Sequence, residues 1–312
     1  MAETLLISLL SKTPTGLALL RGALYVEMDN EMDNLSPTPV LPTATGKAPT
    51  ASLIEIFSAI QGEGMNIGTR QLFIRFGRCD LRCHFCDSAH TWLPQPTCTI
   101  EQTAGDRDFK THHNPVSLEN LLTWVQRLDG DRPGQPHQPL HDSISLTGGE
   151  PLLHTRFLKS FLPRLRETLD LPIYLETGGH RPNQVRSLLP WLDSVGMDIK
   201  LPSVTGETHW DAHGEFLKIC VESQTDIFAK AIISDQTSLE DLDRAGAIVR
   251  DADPNIPFIL QPVTPLPEAI KSDQPIPQPP NPSDVLKWQT RLKAVLPQVR
   301  VIPQSHKMID QL

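Results

Sequence analysis

The hydrophobic pattern of the chain changes character near residue 50. Before it, residues 1–24 carry two short apolar runs, LLISLL and GLALL, cut by Lys12, Pro14 and Arg21, and residues 38–52 are rich in Pro, Thr and Ala. A signal peptide needs a basic start and one unbroken apolar centre, and a spanning helix needs about 20 apolar residues. Neither pattern is found, so residues 1–50 are expected to form a flexible, disordered extension with no core of its own.

Beyond residue 50, strand and helix periods alternate. Residues 52–60 and 71–76 read as strands joined by the Gly-rich stretch QGEGMNIG. Ser117 caps a predicted helix whose Leu118, Leu121, Leu122, Val125 and Leu128 share one face. A strand at 143–146 runs into TGGEP at 147–151. Helices at 156–169, 183–189, 215–221, 239–250 and 283–296 then alternate with strands at 172–177, 193–200, 227–234, 258–263 and 299–303. Repeated βα units imply a parallel sheet with right-handed crossovers. About six such strands predict an α/β fold, a partial, open (β/α) barrel with its ligand site at the carboxyl ends of the strands. Residues 51–312 are expected to form a single catalytic domain. Residues 93–115 show no clear period and read as an inserted loop in which Cys98 is isolated and His112 and His113 are solvated. The Pro-rich run 262–282 reads as a semi-rigid loop.

Composition narrows the picture. With 39% hydrophobic and 21% charged residues over 312 positions, the chain has the makeup of a soluble globular protein with a well-buried core. A formal charge of -9 argues against a direct nucleic-acid partner. Five cysteines, an odd number, suit a reducing compartment, and the protein is expected in the cytoplasm.

Three of those cysteines, Cys79, Cys83 and Cys86, stand in a C-x3-C-x2-C array. Thiolates so close together suit a soft metal centre. A four-iron cluster normally takes four cysteines, so three leave one iron open to a small molecule. The plainer alternative is structural zinc completed by His84 or His90, although zinc ligands usually come as two separated pairs. Cys220, in an apolar helical pattern, reads as a buried, inert thiol.

With Phe85 just before its last cysteine, the array resembles the signature of radical S-adenosylmethionine (SAM) enzymes. EIFSAIQGEG at 55–64, Arg75, CDS at 86–88 and TGGEP together resemble the 7-carboxy-7-deazaguanine synthase family, a likeness running from about residue 53 to the C-terminus. The resemblance implies a [4Fe-4S] cluster on Cys79, Cys83 and Cys86 that binds and splits SAM, and a Mg2+ ion at Ser88, where Thr would be commoner. It implies that Ile60, Gln61, Gly62, Arg75, Thr147 and Leu312 meet a pterin substrate, the ending PQSHKMIDQL folding back near the pocket. SAM would lie against Gly149, Asp198, Ile199, Lys200, Gln261, Pro262, Val263 and Thr264, with Glu176-Thr177-Gly178 at another strand end. The implied reaction is ring contraction of 6-carboxy-5,6,7,8-tetrahydropterin to 7-carboxy-7-deazaguanine with loss of ammonia, through a 5′-deoxyadenosyl radical that takes hydrogen from C6 and returns it. A flavodoxin or ferredoxin reductant and a homodimer are implied too. A glycyl-radical activase, similar in its short radical-SAM architecture, and a non-catalytic zinc module are the alternatives. Gly178 to His180 and the long stretch after Trp92 depart from the family pattern.

Overall fold

The computed structural model describes residues 48–129, 139–265 and 276–311. Ten strands form one sheet. In chain order they are β2 (Leu53–Ile60), β3 (Arg70–Phe76), β4 (Thr97–Glu101), β5 (Phe109–His113), β7 (Ser143–Gly148), β8 (Ile173–Thr177), β9 (Ser194–Asp198), β10 (Asp226–Ile233), β11 (Phe258–Pro262) and β12 (Val299–Val301). Their spatial order is β12-β11-β10-β9-β8-β7-β3-β2-β4-β5. From β3 to β12 every neighbour is parallel. β2 runs antiparallel to β3, and β4 is antiparallel to β5. No pairing joins β5 to β12 among the described residues, so the sheet stays open, in agreement with the expected partial barrel.

Helices cover the sheet because each buries one apolar stripe. The first, α1 (Leu118–Asp129), buries Leu121, Leu122, Val125 and Leu128, the face read from the sequence. α2 (Thr155–Thr168) presents Phe157 and Phe161, stacked at 5.6 Å, to the core. Both are essentially inaccessible, and burial of each contributes roughly 1.5–3 kcal/mol. α3 (Pro182–Arg186) is shorter than its predicted span and gives way to a 3-10 turn at Leu189–Trp191. α4 (Pro202–Thr205) ends at Gly206, and α5 (Trp210–Glu222) begins five residues earlier than the periodicity indicated. α6 (Leu239–Ala252) starts where the Ser238 hydroxyl accepts from Asp241 N, and α7 (Pro282–Lys293) where Asn281 accepts from Ser283 N with Pro282 following. Both starts use side-chain acceptors for backbone N–H groups that lack intrahelical partners.

The stretch 93–115 is not a loop. β4 and β5 form an antiparallel hairpin, and β4 joins β2 through Glu55–Thr99 and Ile56–Ile100, extending the sheet edge. Cys98 is buried in β4, and His112 packs on Trp124 at 4.6 Å, its Nε2 buried, while His113 is exposed. Pro94 and Pro96 obscured a five-residue strand too short to show a period. The small strands β1 (Thr50–Ala51) and β6 (Val116–Ser117) pair antiparallel in a sheet of their own. The remainder of the expected N-terminal extension lies outside the described residues. Among the described residues no helix is long and apolar enough to cross a membrane.

Candidate active site

Parallel registers bring polar residues into one row at the carboxyl ends of the strands. Arg75 is beside Thr147, Glu176 beside Gly196, and Asp198 beside Lys230. Three adjoining cavities of about 310, 200 and 90 Å³ open along this row, each bounded in part by Glu63 and Asp87. This is where ligands enter parallel α/β folds.

The largest of these three is lined by Ile60, Gln61, Gly62, Arg75, Ser88 and Thr147, all expected from the sequence. Arg75 donates from Nε to Glu55 Oε1 at 2.7 Å and lies over the Phe57 ring at 5.4 Å. Its two terminal nitrogens have no protein partner among the described residues. The guanidinium is thus aimed and held, with its fork available to a carboxylate. Gln61 Nε2 donates to Gln71 Oε1 at 3.0 Å and to Glu176 Oε1 at 2.9 Å, and Thr147 Oγ1 donates to Glu176 Oε2 at 2.7 Å. Burial raises the Glu176 carboxyl above its ordinary range. Residues 304–307 close the other wall. Ser305 N donates to Gly62 O at 3.0 Å, Gln304 Nε2 to Glu63 Oε1 at 2.6 Å, and Lys307 Nζ to Asp87 Oδ2 at 2.7 Å. Burial works against the Asp87 anion, but Lys307 with hydrogen bonds from Gln304 and Ser88 brings the carboxyl down to about 2. Ser88 Oγ donates to Asp87 Oδ1 at 3.2 Å, which places two hard oxygen groups at this wall.

Cys79, Cys83 and Cys86 line the second cavity together. All three are free thiols, and burial raises each, Cys79 to about 11. A metal centre binding here would displace those protons to solvent and hold the thiolates. Among the described residues no three His, Cys, Asp or Glu side chains gather closely enough to hold a single metal ion. Neither His84 nor His90 lines the chamber that the three cysteines share. Three sulfurs around a chamber of about 200 Å³ fit an iron–sulfur cluster with an open position.

TGGEP braces this loop. Gly149 N donates to Phe76 O at 3.0 Å and Glu150 N to Arg78 O at 2.9 Å. Gly148 has φ +132°, and a Cβ there would stand 2.2 Å from Phe76 O; at Gly149 it would stand 2.2 Å from Arg78 O and 3.1 Å from Cys79 Cβ. Both positions need glycine because the main chain, at the end of β3 for Gly148 and just before Cys79 for Gly149, passes so close. Glu150, 1% exposed, accepts from Leu152 N, Thr177 Oγ1 and Gly178 N, which fixes the strand end beside it.

A half-buried ladder of charge runs between the cavities. Lys200 Nζ donates to Asp198 Oδ2 at 3.0 Å; Lys230 Nζ lies 3.3 Å from Asp198 Oδ1 and forms a short ion pair with Glu63. Burial disfavours every charge here, yet the opposite charges dominate: Glu63 and Asp198 sit below their ordinary ranges, and both lysines above theirs. The Lys200–Asp198 pair is accordingly not the surface pair that its spacing alone would suggest.

Among the residues expected at SAM, Gly149, Asp198 and Lys200 line the second cavity and Gln261, Val263 and Thr264 the third. Gln261 Oε1 is buried and unpartnered, so this cavity has an acceptor ready for an N–H donor. Ile199 and Pro262 are not brought to these cavities. Ile199 turns its side chain into the core and gives its N–H to Lys230 O at 2.7 Å; Pro262 is the last residue of β11. Leu312 lies outside the described residues. Sequence reasoning missed Glu63, Asp87, Lys230 and His306. Only Lys230 left a usable signal, a lone charge inside the apolar strand DIFAKAII, where a doubly covered strand should be apolar throughout.

No family model matches the chain. It is 41% identical to a 7-carboxy-7-deazaguanine synthase of Geobacter sulfurreducens, over 85% of this chain and 99% of that one. A second such synthase, from Thermococcus kodakarensis, is 30% identical over 69% of this chain and 84% of its own length. A solved radical SAM methyltransferase from Sphaerobacter thermophilus superposes with a TM-score of 0.51 at 14% identity, covering 75% of this chain and 66% of its own, a likeness of fold. The cysteine array, the strand-end row and these relatives converge: the chain belongs to the 7-carboxy-7-deazaguanine synthase family.

Proposed function

We propose that the protein is a radical SAM lyase that contracts 6-carboxy-5,6,7,8-tetrahydropterin to 7-carboxy-7-deazaguanine with loss of ammonia, in the route to queuosine and related 7-deazapurines. One observation carries the reading: Cys79, Cys83 and Cys86 face a chamber that adjoins a cavity carrying an aimed, unpaired arginine fork.

Cys79, Cys83 and Cys86 would hold a [4Fe-4S] cluster, which when bound supplies the electron that cleaves SAM. Asp198, Lys200, Gln261, Val263 and Thr264 line the space beside it and orient SAM. Arg75 takes the substrate carboxylate bidentately. Gln61 and Thr147 are locked through Glu176, so the pterin meets preset partners, and positioning of this kind can account for much of a barrier reduction. Glu176, kept toward its neutral form by burial, is placed to manage a proton near the ring nitrogens. Ser88, with Asp87 beside it, offers oxygen donors suited to Mg2+. His306, Lys307 and Gln311 wall the cavity on one side and would help exclude water once substrate is bound. A flavodoxin or ferredoxin reductant, a cytoplasmic location and a homodimer complete the proposal.

The test is anaerobic reconstitution with iron and sulfide, followed by incubation with SAM, dithionite, Mg2+ and carboxytetrahydropterin, products being read by mass spectrometry. Carboxydeazaguanine formed with one ammonia per turnover is the expected result. SAM cleavage with the pterin left intact would overturn the substrate assignment.

A further inference from the structure

The cysteine loop has a second pocket that shares no lining residue with the three-cavity cleft. Arg78, Ser52, Gln95, Asn114 and His154 contribute to it, around a volume of about 340 Å³. Arg78 directly precedes Cys79 and has φ +77°. A side chain in that left-handed region costs on the order of 1–2 kcal/mol, whereas glycine takes it freely. Both main-chain polar groups of Arg78 are fixed: its N donates to Thr91 O at 2.7 Å and its O accepts from Glu150 N at 2.9 Å. The conformation is thus imposed by the fold, and the strain is retained for an arginine. Strain kept at one position motivates a functional reading of its side chain.

That side chain is exposed and has no partner among the described residues. It is the pocket's one permanently charged group: no carboxylate lines the space, and burial keeps His154 below its ordinary range. Ser52 Oγ, also at this pocket, is buried and unpartnered. Arg82 flanks Cys79 on the other side, exposed, donating to Cys79 O at 2.9 Å with its guanidinium 5.0 Å from the Trp92 ring centroid. Arg181 is bound to Asp80 at 2.5 Å, and the Arg82 guanidinium is spent on the Cys79 and Leu81 carbonyls, so of these three arginines Arg78 is the one without a partner among the described residues. In a chain of formal charge -9, an exposed guanidinium at a pocket without a carboxylate is complementary to an acidic partner.

We propose that Arg78 and its pocket are the docking point for an acidic one-electron donor protein, a surface carboxylate of which seats on the guanidinium one residue from Cys79. The inference rests on the function proposed above, because that reaction needs an electron. The step transfers one electron from a flavodoxin-type hydroquinone, which becomes the semiquinone, to the oxidised cluster, which is reduced by one.

The test uses reconstituted full-length protein, wild type and Arg78→Gly, Arg78→Glu and Arg78→Lys, with a purified acidic flavodoxin. Binding is followed by fluorescence anisotropy against salt, and SAM cleavage is driven either by reduced flavodoxin or by dithionite. Arg78→Gly is expected to weaken flavodoxin binding and slow flavodoxin-driven cleavage about tenfold, with a shallower salt dependence. Arg78→Glu should do more and Arg78→Lys restore most of it, with iron content and dithionite-driven cleavage unchanged throughout. Wild-type binding and rate in Arg78→Glu would overturn the proposal, as would equal losses with both reductants, which would make Arg78 a support of the loop. If wild type cleaves no SAM even with dithionite, the functional reading fails, and the anisotropy series still decides the docking claim.

Discussion

At the scale of single residues, the site depends on buried polar groups whose partners are fully specified. Glu150 satisfies two backbone donors and one hydroxyl from an environment that is 1% exposed. Glu150→Gln turns an amide N–H₂ toward one of those donors, and the expected cost is about 1–3 kcal/mol, read from the urea midpoint of the apo protein. An unchanged midpoint would contradict this. His213 is wholly buried, gives Nε2–H to Gly178 O at 3.1 Å, and is lowered by burial to about 3. The unfolded chain binds this proton near pH 6.5 and the folded chain only near 3, so between those values the unfolded state holds more protons and stability falls as pH drops. The contribution is at most about 1.4 kcal/mol per pH unit. Urea melts at a series of pH values should show a flatter dependence for His213→Asn than for wild type; parallel dependences would rule His213 out as the source. The cysteines were legible from their spacing, and Arg75 and Thr147 from the motifs that carry the family resemblance. Glu63 and Asp87 were not, since a carboxylate in a loop looks solvated until the fold supplies Lys230 and Lys307.

Among the elements, the TGGEP turn and residues 304–307 do the positioning. Ala at Gly149 would thrust a methyl to 2.2 Å from Arg78 O, so Gly149→Ala should displace the cysteine loop and reduce iron retained after reconstitution several-fold, measured by iron and sulfide analysis. Full iron retention would show that the turn does not brace the loop. Lys307→Met removes one charge-assisted contact to Asp87 at a part-exposed site. It should raise the KM for the pterin about three- to tenfold and leave that for SAM unchanged. Equal rises in both would mean that the segment supports the whole cleft. Element identity was readable wherever the period was long: α1, α2 and α6 are close to their predicted spans. The β4–β5 hairpin was not, because five-residue strands flanked by prolines present too little alternation, and the pairing of β4 with β2 is a contact over some forty residues.

Across the whole molecule, the site exists only as a row spanning neighbouring strands, with Arg75, Thr147, Glu176, Asp198, Lys230 and Gln261 drawn from six of them. No sequence spacing encodes such a row; parallel register does, and the strand–helix alternation predicted the register's existence without its members. Ile199 and Pro262 illustrate the limit, being neighbours in sequence of residues that line the cleft while they do not. The central claim is that the three loop cysteines, and no others, hold a cluster beside the substrate cavity. It is tested most directly by reconstituting wild type and the five single Cys→Ala variants anaerobically and measuring bound iron with pterin turnover. Wild type, Cys98→Ala and Cys220→Ala should each retain about four iron atoms per chain and turn over, and Cys79→Ala, Cys83→Ala and Cys86→Ala should lose both. Full iron content with turnover in Cys83→Ala would contradict the account.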